Sequence, residues 1–218
     1  PYTPTPANAQ AIAANALLIP DRANTWIIGG VNHQGDNGPE VMRGEEVQVL
    51  GILQQHPDAR WLCLPGTHTK WVRLENGSIR AFTTYMTGEL YRWVTRDSLI
   101  ATQIQGDEFN ADAFAMGQQL AQQHAALTSA LFQLRTRFLA GELRDDHVAS
   151  AASGLLIQHE LSAATRSLDA PVYLCGAERV AQPYTQALQH CGIESHVIDP
   201  EQATIAGLHQ LQTLIEAT

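Results

Sequence analysis

The stretch that decides the fold covers residues 61–90, WLCLPGTHTKWVRLENGSIRAFTTYMTGEL. Apolar runs alternate in it with two polar turns, which predicts three strands followed by the start of a helix. The first turn, residues 65–70, separates the apolar runs WLCL and WVRL. The second turn, residues 75–78, contains Asn-Gly, the strongest short hairpin signal. The sequence therefore predicts a three-stranded meander that leads into a helix.

The first of these turns carries groups that can hold phosphate. Gly66 lets backbone N–H groups come close to a ligand, and the hydroxyls of Thr67 and Thr69 can donate hydrogen bonds. Lys70 adds a positive charge. The turn is not a P-loop, because the G-x-x-x-x-G-K-[ST] pattern is absent. On the residues alone it is a candidate phosphate site, with a solvated hairpin tip as the alternative.

The segments on either side of the meander predict a mixed α/β sheet covered by helices. Strands are predicted at residues 25–31, 172–175 and 195–198, a loop at 33–39, and helices at 40–55, 179–190 and 201–217. A turn or helix is expected at residues 7–16. Asn110 is predicted to cap a helical region that runs to about residue 166, with one break near residues 140–142.

Composition limits the classes of function. The chain has 218 residues, 44% of them hydrophobic, which is enough for one or two domains with a sizeable core. Its net charge of −9 argues against a nucleic-acid partner but not against an anionic substrate. No apolar run approaches the roughly 20 residues of a membrane helix, and no signal peptide is recognisable, so no membrane partner is expected.

Cysteine and histidine usage predicts no metal site. Neither CxxC nor HExxH occurs, and the nine histidines show no ligand spacing. Cys63 and Cys175 lie in apolar strand-like runs, which favours reduced core thiols in a cytoplasmic protein.

Two further clusters are candidates for chemistry. Glu45 and Glu46 follow a glycine-rich loop at a predicted helix start, where a general base is one interpretation and a pair of ordinary helix-start acids is the favoured one. Arg43 is available to pair with a substrate carboxylate. Gly176-Ala177 follows the strand VYLC and offers bare backbone to a planar ring or sugar, although most such glycines only relieve packing.

In this order, the three clusters resemble the second half of sugar kinases of the actin-like ATPase superfamily. The segments VMRGEEVQVLG, LPGTHTKWV and MTGELYRWVTRDSLI are similar to the 2-keto-3-deoxygalactonate kinase (2-dehydro-3-deoxygalactonokinase) family. NADAFAMG, SGLLIQHEL and CGAERVAQPYTQAL fit the same family. The resemblance covers nearly the whole chain and implies an α/β, ribonuclease H-like C-terminal domain, with a mixed sheet, antiparallel hairpins and covering helices.

The family's first phosphate loop, an Asp-x-Gly-Thr hairpin, does not occur in this sequence. The chain opens instead with the extended segment PYTPTP, which suggests that an upstream part is missing. By the resemblance, residues 1–24 are the tail of an N-terminal domain or a connection. Residues 25–218 are then the C-terminal ATP-binding kinase domain.

The resemblance implies ATP-dependent phosphorylation of 2-keto-3-deoxy-D-galactonate at its 6-hydroxyl in galactonate catabolism, with ATP and Mg²⁺. Glu45 is then the first candidate for the general base and Glu46 the second, because the register is ambiguous by one residue. The implied ATP contacts are Gly66, Thr67, His68, Thr69, Lys70, Gly88, Gly176 and Ala177. Arg43 as a contact for the sugar-acid carboxylate is our own hypothesis, and no residue of this chain is assigned to the metal.

Three alternatives stay open. The first alternative to this kinase is a truncated, non-catalytic nucleotide-binding module. The second is a kinase of a related sugar acid, because the sequence does not reveal which epimer is preferred. Trp93 and the long helices are candidates for a homodimer interface, with burial in the core as the favoured interpretation.

Overall fold

The computed structural model describes residues 1–22, 24–106 and 108–217. In chain order the strands are β1 (Thr3–Pro4), β2 (Leu17–Leu18), β3 (Trp26–Ile27), β4 (Val31–Gly35), β5 (Gly38–Met42), β6 (Trp61–Leu64), β7 (Thr69–Glu75), β8 (Ser78–Tyr85), β9 (Val172–Cys175) and β10 (Ser195–Ile198). The helices are α1 (Ala9–Ala14), α2 (Glu45–Gln55), α3 (Thr87–Arg96), α4 (Ala111–Gln123), α5 (Leu127–Leu139), α6 (Val148–Ala164), α7 (Glu178–His190) and α8 (Pro200–Glu216). A short 3-10 helix covers Ala101–Gln103.

The central sheet has five strands in the order β10-β9-β6-β7-β8. Strands β6, β9 and β10 are parallel, whereas β6, β7 and β8 form the antiparallel meander that the sequence predicted. Asn76 and Gly77 both have positive φ, at 50° and 69°, as the tight turns that join hairpins require. The prediction of a mixed sheet with an antiparallel edge is confirmed.

The two faces of this sheet bury different helices, because successive side chains of a strand point to opposite faces. Leu62 and Val72 belong to a core cluster shared with α1, α2 and α8. Trp61, Cys63 and Trp71 belong to a cluster shared with α6 and α7. A third cluster lies among α3, α4, α5 and α6. Helices therefore cover both faces of the sheet at β6 and β7.

Helices α2 and α8 cross in close contact through glycines. A Cβ atom on Gly207 would lie 1.9 Å from the Val47 carbonyl oxygen, and one on Gly51 would lie 1.9 Å from the Ala203 carbonyl oxygen. Only hydrogen fits at both positions, so the backbones of α2 and α8 touch directly. The first turn of α2, which carries two acids, is positioned by this contact.

Three predictions on the N-terminal side are wrong. Residues 25–31 do not form one buried strand, because Trp26–Ile27 pairs with Leu17–Leu18 in an exposed ribbon. Residues 33–39 are not a loop but most of the β4–β5 hairpin, in which Gln34 pairs with Pro39. Proline is accepted there because β5 is the edge strand of the small sheet β1-β4-β5 and needs no further N–H donor. Pairing of residues 38–42 with β4 delays the helix start to Glu45.

The helical region after Asn110 confirms one prediction and corrects another. The Asn110 side chain accepts a hydrogen bond from the Ala113 backbone N–H at 2.8 Å, as an N-cap does. A break at residues 124–126 separates α4 from α5, so the region holds three helices rather than two. Trp93, on α3 before this region, is 52% exposed, so the prediction that it lies in the core is wrong.

Cys63 and Cys175 are free and buried, as predicted for core thiols. No helix in the described ranges is long and apolar enough to cross a membrane.

Candidate active site

The phosphate-site candidate lies at the carboxyl edge of the parallel strands, where α/β sheets bind ligands. Gly66 is in the turn after β6, and Gly176 follows the neighbouring strand β9. A Cβ atom on Gly176 would lie 3.0 Å from the Pro65 Cγ atom. Two of the three clusters that the sequence singled out therefore meet at one edge of the sheet.

The third cluster joins them through an ion pair. Lys70 Nζ lies 3.3 Å from Glu45 Oε1, and the Lys70 side chain is only 6% exposed. A cation at this depth needs an opposite charge or hydrogen-bond partners. The pair therefore brings the start of α2 against the first residues of β7.

Glu45 and Glu46 are adjacent in the chain but have different surroundings. Glu45 Oε2 accepts a hydrogen bond from the Arg43 backbone N–H at 3.0 Å, and its side chain is 29% exposed. Glu46 is 1% exposed, and its Oε2 accepts from the Gly44 backbone N–H at 2.6 Å. Burial raises the pKa of Glu46 to about 7, against the lowering effect of its backbone hydrogen bonds. One acid thus faces a cation at the rim of the site, and the other is buried.

Helix α3 holds the phosphate-site turn from one side. A Cβ atom on Gly88 would lie 2.0 Å from the Gly66 carbonyl oxygen, and the Glu89 backbone N–H donates to the Thr67 carbonyl oxygen at 2.8 Å. His68 Nε2 lies 2.6 Å from Glu89 Oε2 on the surface. The sequence placed Gly88 near the nucleotide, and the structure places it directly against the turn.

A cleft of about 430 Å³ opens beside this turn. Gly66, Gly88 and Thr67 line it together with Phe109, Val180 and Pro183. A mostly apolar cleft with a few polar groups is the common form of a small-molecule site. On the α7 side, the cleft is lined by residues of the first two turns of the helix, such as Val180 and Pro183. The predicted pair Gly176-Ala177 lies just before these turns.

The hydroxyl of Thr69 is turned away from the cleft edge into the interior. Thr69 is fully buried, and its Oγ1 lies 2.8 Å from the Tyr184 hydroxyl. Tyr184 in turn donates to Glu160 Oε2 at 2.8 Å. Sequence reasoning assigned no role to Glu160. Its signal is an acid in the helical segment SGLLIQHEL, one turn after the apolar run GLLI.

Of the predicted site residues, Gly66, Thr67 and Gly88 line the cleft. The others do not: Arg43, Glu45, Glu46, His68, Thr69, Lys70, Gly176 and Ala177. Arg43 is exposed, with its Cζ atom 5.4 Å from the ring centroid of Tyr2. Among the described residues, no three His, Cys, Asp or Glu side chains come together in a way that could hold a metal ion.

This architecture is that of the actin-like ATPase fold. The solved structure of the activator of the 2-hydroxyisocaproyl-CoA dehydratase from Clostridium difficile, with bound ADPNP, matches 81% of this chain and 68% of its own at a TM-score of 0.53. At 12% identity that likeness shows the fold alone. A structure from Sinorhizobium meliloti, described as a "putative 2-dehydro-3-deoxygalactonokinase protein", matches far more closely. Its TM-score is 0.89 at 31% identity, over 99% of this chain and 73% of that chain.

Sequence comparison gives the family. The model of the 2-keto-3-deoxy-galactonokinase family matches residues 1–211. The 2-dehydro-3-deoxygalactonokinase of Escherichia coli K12 is 33% identical over 214 residues, which are 97% of this chain and 72% of that protein. The chain belongs to the 2-keto-3-deoxy-galactonokinase family, a family of sugar-acid kinases. The fold and the family expected from the motifs are both confirmed.

Proposed function

We propose that this chain carries out the ATP-dependent phosphorylation of 2-keto-3-deoxy-D-galactonate at its 6-hydroxyl, a step of galactonate catabolism. Family membership supports the reaction class. The single observation that carries the assignment of the site is the 3.3 Å contact between Lys70 and Glu45, because it sets an acid beside the phosphate-site turn. A base and a phosphate-binding cation are the two charges that phosphoryl transfer to a hydroxyl uses.

ATP fits the donor set at this edge of the sheet. Its phosphates take the backbone N–H groups of residues 66–68 and the ammonium of Lys70, and its adenosine takes the cleft beside Phe109 and the start of α7. Gly176 and Ala177 stand at that start. The Thr69 hydroxyl is occupied by Tyr184, so this residue contributes through its backbone and through the shape of the turn.

Glu45 is our first candidate for the general base. The 6-hydroxyl oxygen attacks the γ-phosphorus, the bond to the ADP oxygen breaks, and the hydroxyl proton passes to the carboxylate. Glu45 is suited because its carboxylate is partly exposed and lies beside the ammonium of Lys70, which attracts the phosphates. Glu46 remains the second candidate, since a pKa of about 7 is near the optimum for a base but its carboxyl is buried.

Mg²⁺ is proposed to travel with the nucleotide. The described residues do not offer a cluster of acidic side chains for it, and this ion commonly binds through substrate phosphates and water. No step of the mechanism is routed through a metal ligand of this chain. We also propose that Arg43 contacts the sugar-acid carboxylate.

The test is calorimetry with ATP followed by a coupled assay with 2-keto-3-deoxygalactonate. ATP binding and turnover of this sugar acid are the expected results. ATP binding without turnover would support the non-catalytic module instead, and absence of ATP binding would refute both. A panel of keto-deoxy acids separates the galactonate kinase from a kinase of a related sugar acid.

A homodimer and a cytoplasmic location are further proposals. Sedimentation analysis of the Trp93→Ala variant tests the homodimer.

A further inference from the structure

A buried carboxylate lies beneath the cleft and has no role in the mechanism above. Glu160 is on α6 and is 3% exposed. Its Oε1 accepts from the Trp71 indole N–H at 2.7 Å, and its Oε2 accepts from the hydroxyls of Tyr184, at 2.8 Å, and Thr87. With Thr69, which bonds to Tyr184, these residues form what we call the Glu160 cluster.

Besides Glu160 itself on α6, the members of the Glu160 cluster come from three elements near the phosphate-site turn. Thr69 and Trp71 are on β7, Thr87 is the first residue of α3, and Tyr184 is on α7. Thr87 and Tyr184 also line the cleft. One carboxylate therefore connects the strand after the turn, the helix that holds the turn and the helix that forms the far wall.

The chemistry of the partners matters as much as their number. The indole N–H of Trp71 is a donor only, while the hydroxyls of Thr87 and Tyr184 can donate or accept. An ionised carboxylate accepts from all three at once, and the Tyr184 oxygen is then free to accept from Thr69. Burial raises the pKa of Glu160, and the donated hydrogen bonds oppose that rise.

We propose that Glu160 is a positioning residue for the nucleotide site: through Trp71, Thr87 and Tyr184–Thr69 it holds the phosphate-site turn and the α7 wall at a fixed spacing. This inference rests on the proposed nucleotide binding, but it concerns how the site is kept in shape and not which group reacts. An isosteric amide tests it, because an amide at this position must turn its NH₂ group away from the Trp71 donor. That NH₂ group then faces Thr87 and Tyr184, which must reverse to acceptors, and Tyr184 must donate to Thr69.

The experiment compares Glu160→Gln with Gln118→Met in the 218-residue chain. Gln118 is a matched control, because it is 1% exposed, hydrogen-bonds from α4 to Gln158 on the same helix α6, and lies outside the cleft lining. Two quantities are measured besides melting temperature: amide hydrogen exchange at residues 66–70, and the dissociation constant of ATP by calorimetry.

Glu160→Gln is expected to speed exchange at residues 66–70 and to weaken ATP binding, each by about tenfold, because hydrogen bonds to a charged acceptor are replaced by weaker neutral ones. Gln118→Met is expected to lower the melting temperature without either effect. The proposal is overturned when Glu160→Gln changes only the melting temperature, as the control does. Should Glu160→Gln fail to fold, Tyr184→Phe removes a single oxygen and decides by the same two readouts.

A matched pair at Thr87 provides an independent check. Thr87→Ser keeps the hydroxyl that donates to Glu160, whereas Thr87→Val removes it, so hydrogen exchange at residues 66–70 is expected to be faster in Thr87→Val than in Thr87→Ser. Equal behaviour of the two variants would overturn the proposal. If the wild-type chain binds no ATP, the proposed function fails, and hydrogen exchange at residues 66–70 still decides the role of Glu160.

Discussion

Two carboxylates reach the beginning of β7 from opposite faces of the sheet, and they do so with different partners. Glu45 pairs with the cation of Lys70, whereas Glu160 accepts from the neutral donor Trp71, the next residue along. Consecutive strand residues point to opposite faces, so one strand carries both contacts. The Glu45 side is partly open to solvent, and the Glu160 side is closed.

This difference indicates a division of labour. The Glu45 carboxylate is 29% exposed, so water and ligand can reach it, whereas the ammonium of its partner Lys70 is buried. A buried carboxylate that accepts from donors on three other elements cannot move without leaving those donors unsatisfied. We therefore propose that the chemistry takes place on the α2 face of β7 and that the α6 face keeps the site rigid.

The largest effect is expected for Glu45→Gln. Removal of a general base lowers kcat by about 10²- to 10⁴-fold, while ATP affinity should change less than threefold, because the backbone N–H groups of the turn remain. Steady-state kinetics with saturating ATP and sugar acid measure the split. Glu46→Gln is the matched control at the neighbouring position. A normal kcat in Glu45→Gln together with a large loss in Glu46→Gln would transfer the role of base to Glu46.

The next effect concerns stability and pH. The native Glu46 carboxyl keeps its proton up to about pH 7, whereas the unfolded chain loses it near the ordinary value of 4.5. Between these values the native state binds more protons, so its stability falls as the pH rises, and the full cost is present above pH 7. The gap between the folded and unfolded pKa values of Glu46 corresponds to about 3 kcal/mol in the free energy of unfolding.

Glu46→Gln should abolish this fall, because the amide is neutral at every pH and still accepts from the Gly44 N–H. Urea unfolding of wild type and variant between about pH 5 and about pH 8 measures it. The gap between the two free energies of unfolding should shift in favour of the variant as the pH rises. Parallel curves would show that the Glu46 carboxyl is not buried as described. Glu160 would then be the buried carboxylate in this comparison, and the α2 face would carry exposed acids.

Gly88→Ala is expected to have an intermediate effect. The added methyl group would meet the Gly66 carbonyl oxygen at 2.0 Å, so α3 must move away from the phosphate-site turn. We expect about a tenfold loss of ATP affinity, roughly 1.4 kcal/mol, with the kcat at saturation much less affected. Calorimetry measures the affinity, and Gly77→Ala at the distant tip of the β7–β8 hairpin is the control for general destabilisation. Unchanged ATP affinity would mean that the Gly88 contact does not hold the phosphate-site turn, which would leave that role to the Glu160 cluster.

The sequence predicted the α2 face of this site better than the α6 face, and the reason is physical. Asn76-Gly77 and the apolar runs beside it encode a hairpin locally, so β7 and its polar turn could be located without tertiary information. The partners of Glu160 come from residues 71, 87 and 184, and no local pattern records such separations.

The errors on the N-terminal side have a related cause. The apolar residues Trp26 and Ile27 suggested a buried strand, but their partner Leu17–Leu18 is itself exposed, and hydrophobicity alone does not tell an exposed ribbon from a core strand. Proline and several glycines in residues 33–39 suggested a loop, although an edge strand tolerates them.

The smallest effect is expected for His68→Ala, and it sharpens the comparison by adding a third carboxylate at the same turn. Glu89 lies 2.6 Å from His68, but both side chains are about half exposed. Exposed ion pairs contribute little, typically below about 1 kcal/mol, because solvent screens them and ordering two side chains costs entropy. The variant should therefore lose less than about 0.5 kcal/mol in urea unfolding and keep its ATP affinity within about twofold. A loss of ATP affinity as large as that of Gly88→Ala would instead place the His68 imidazole on the phosphates, as the family resemblance implies, and would extend the reactive face of β7 to the tip of the turn.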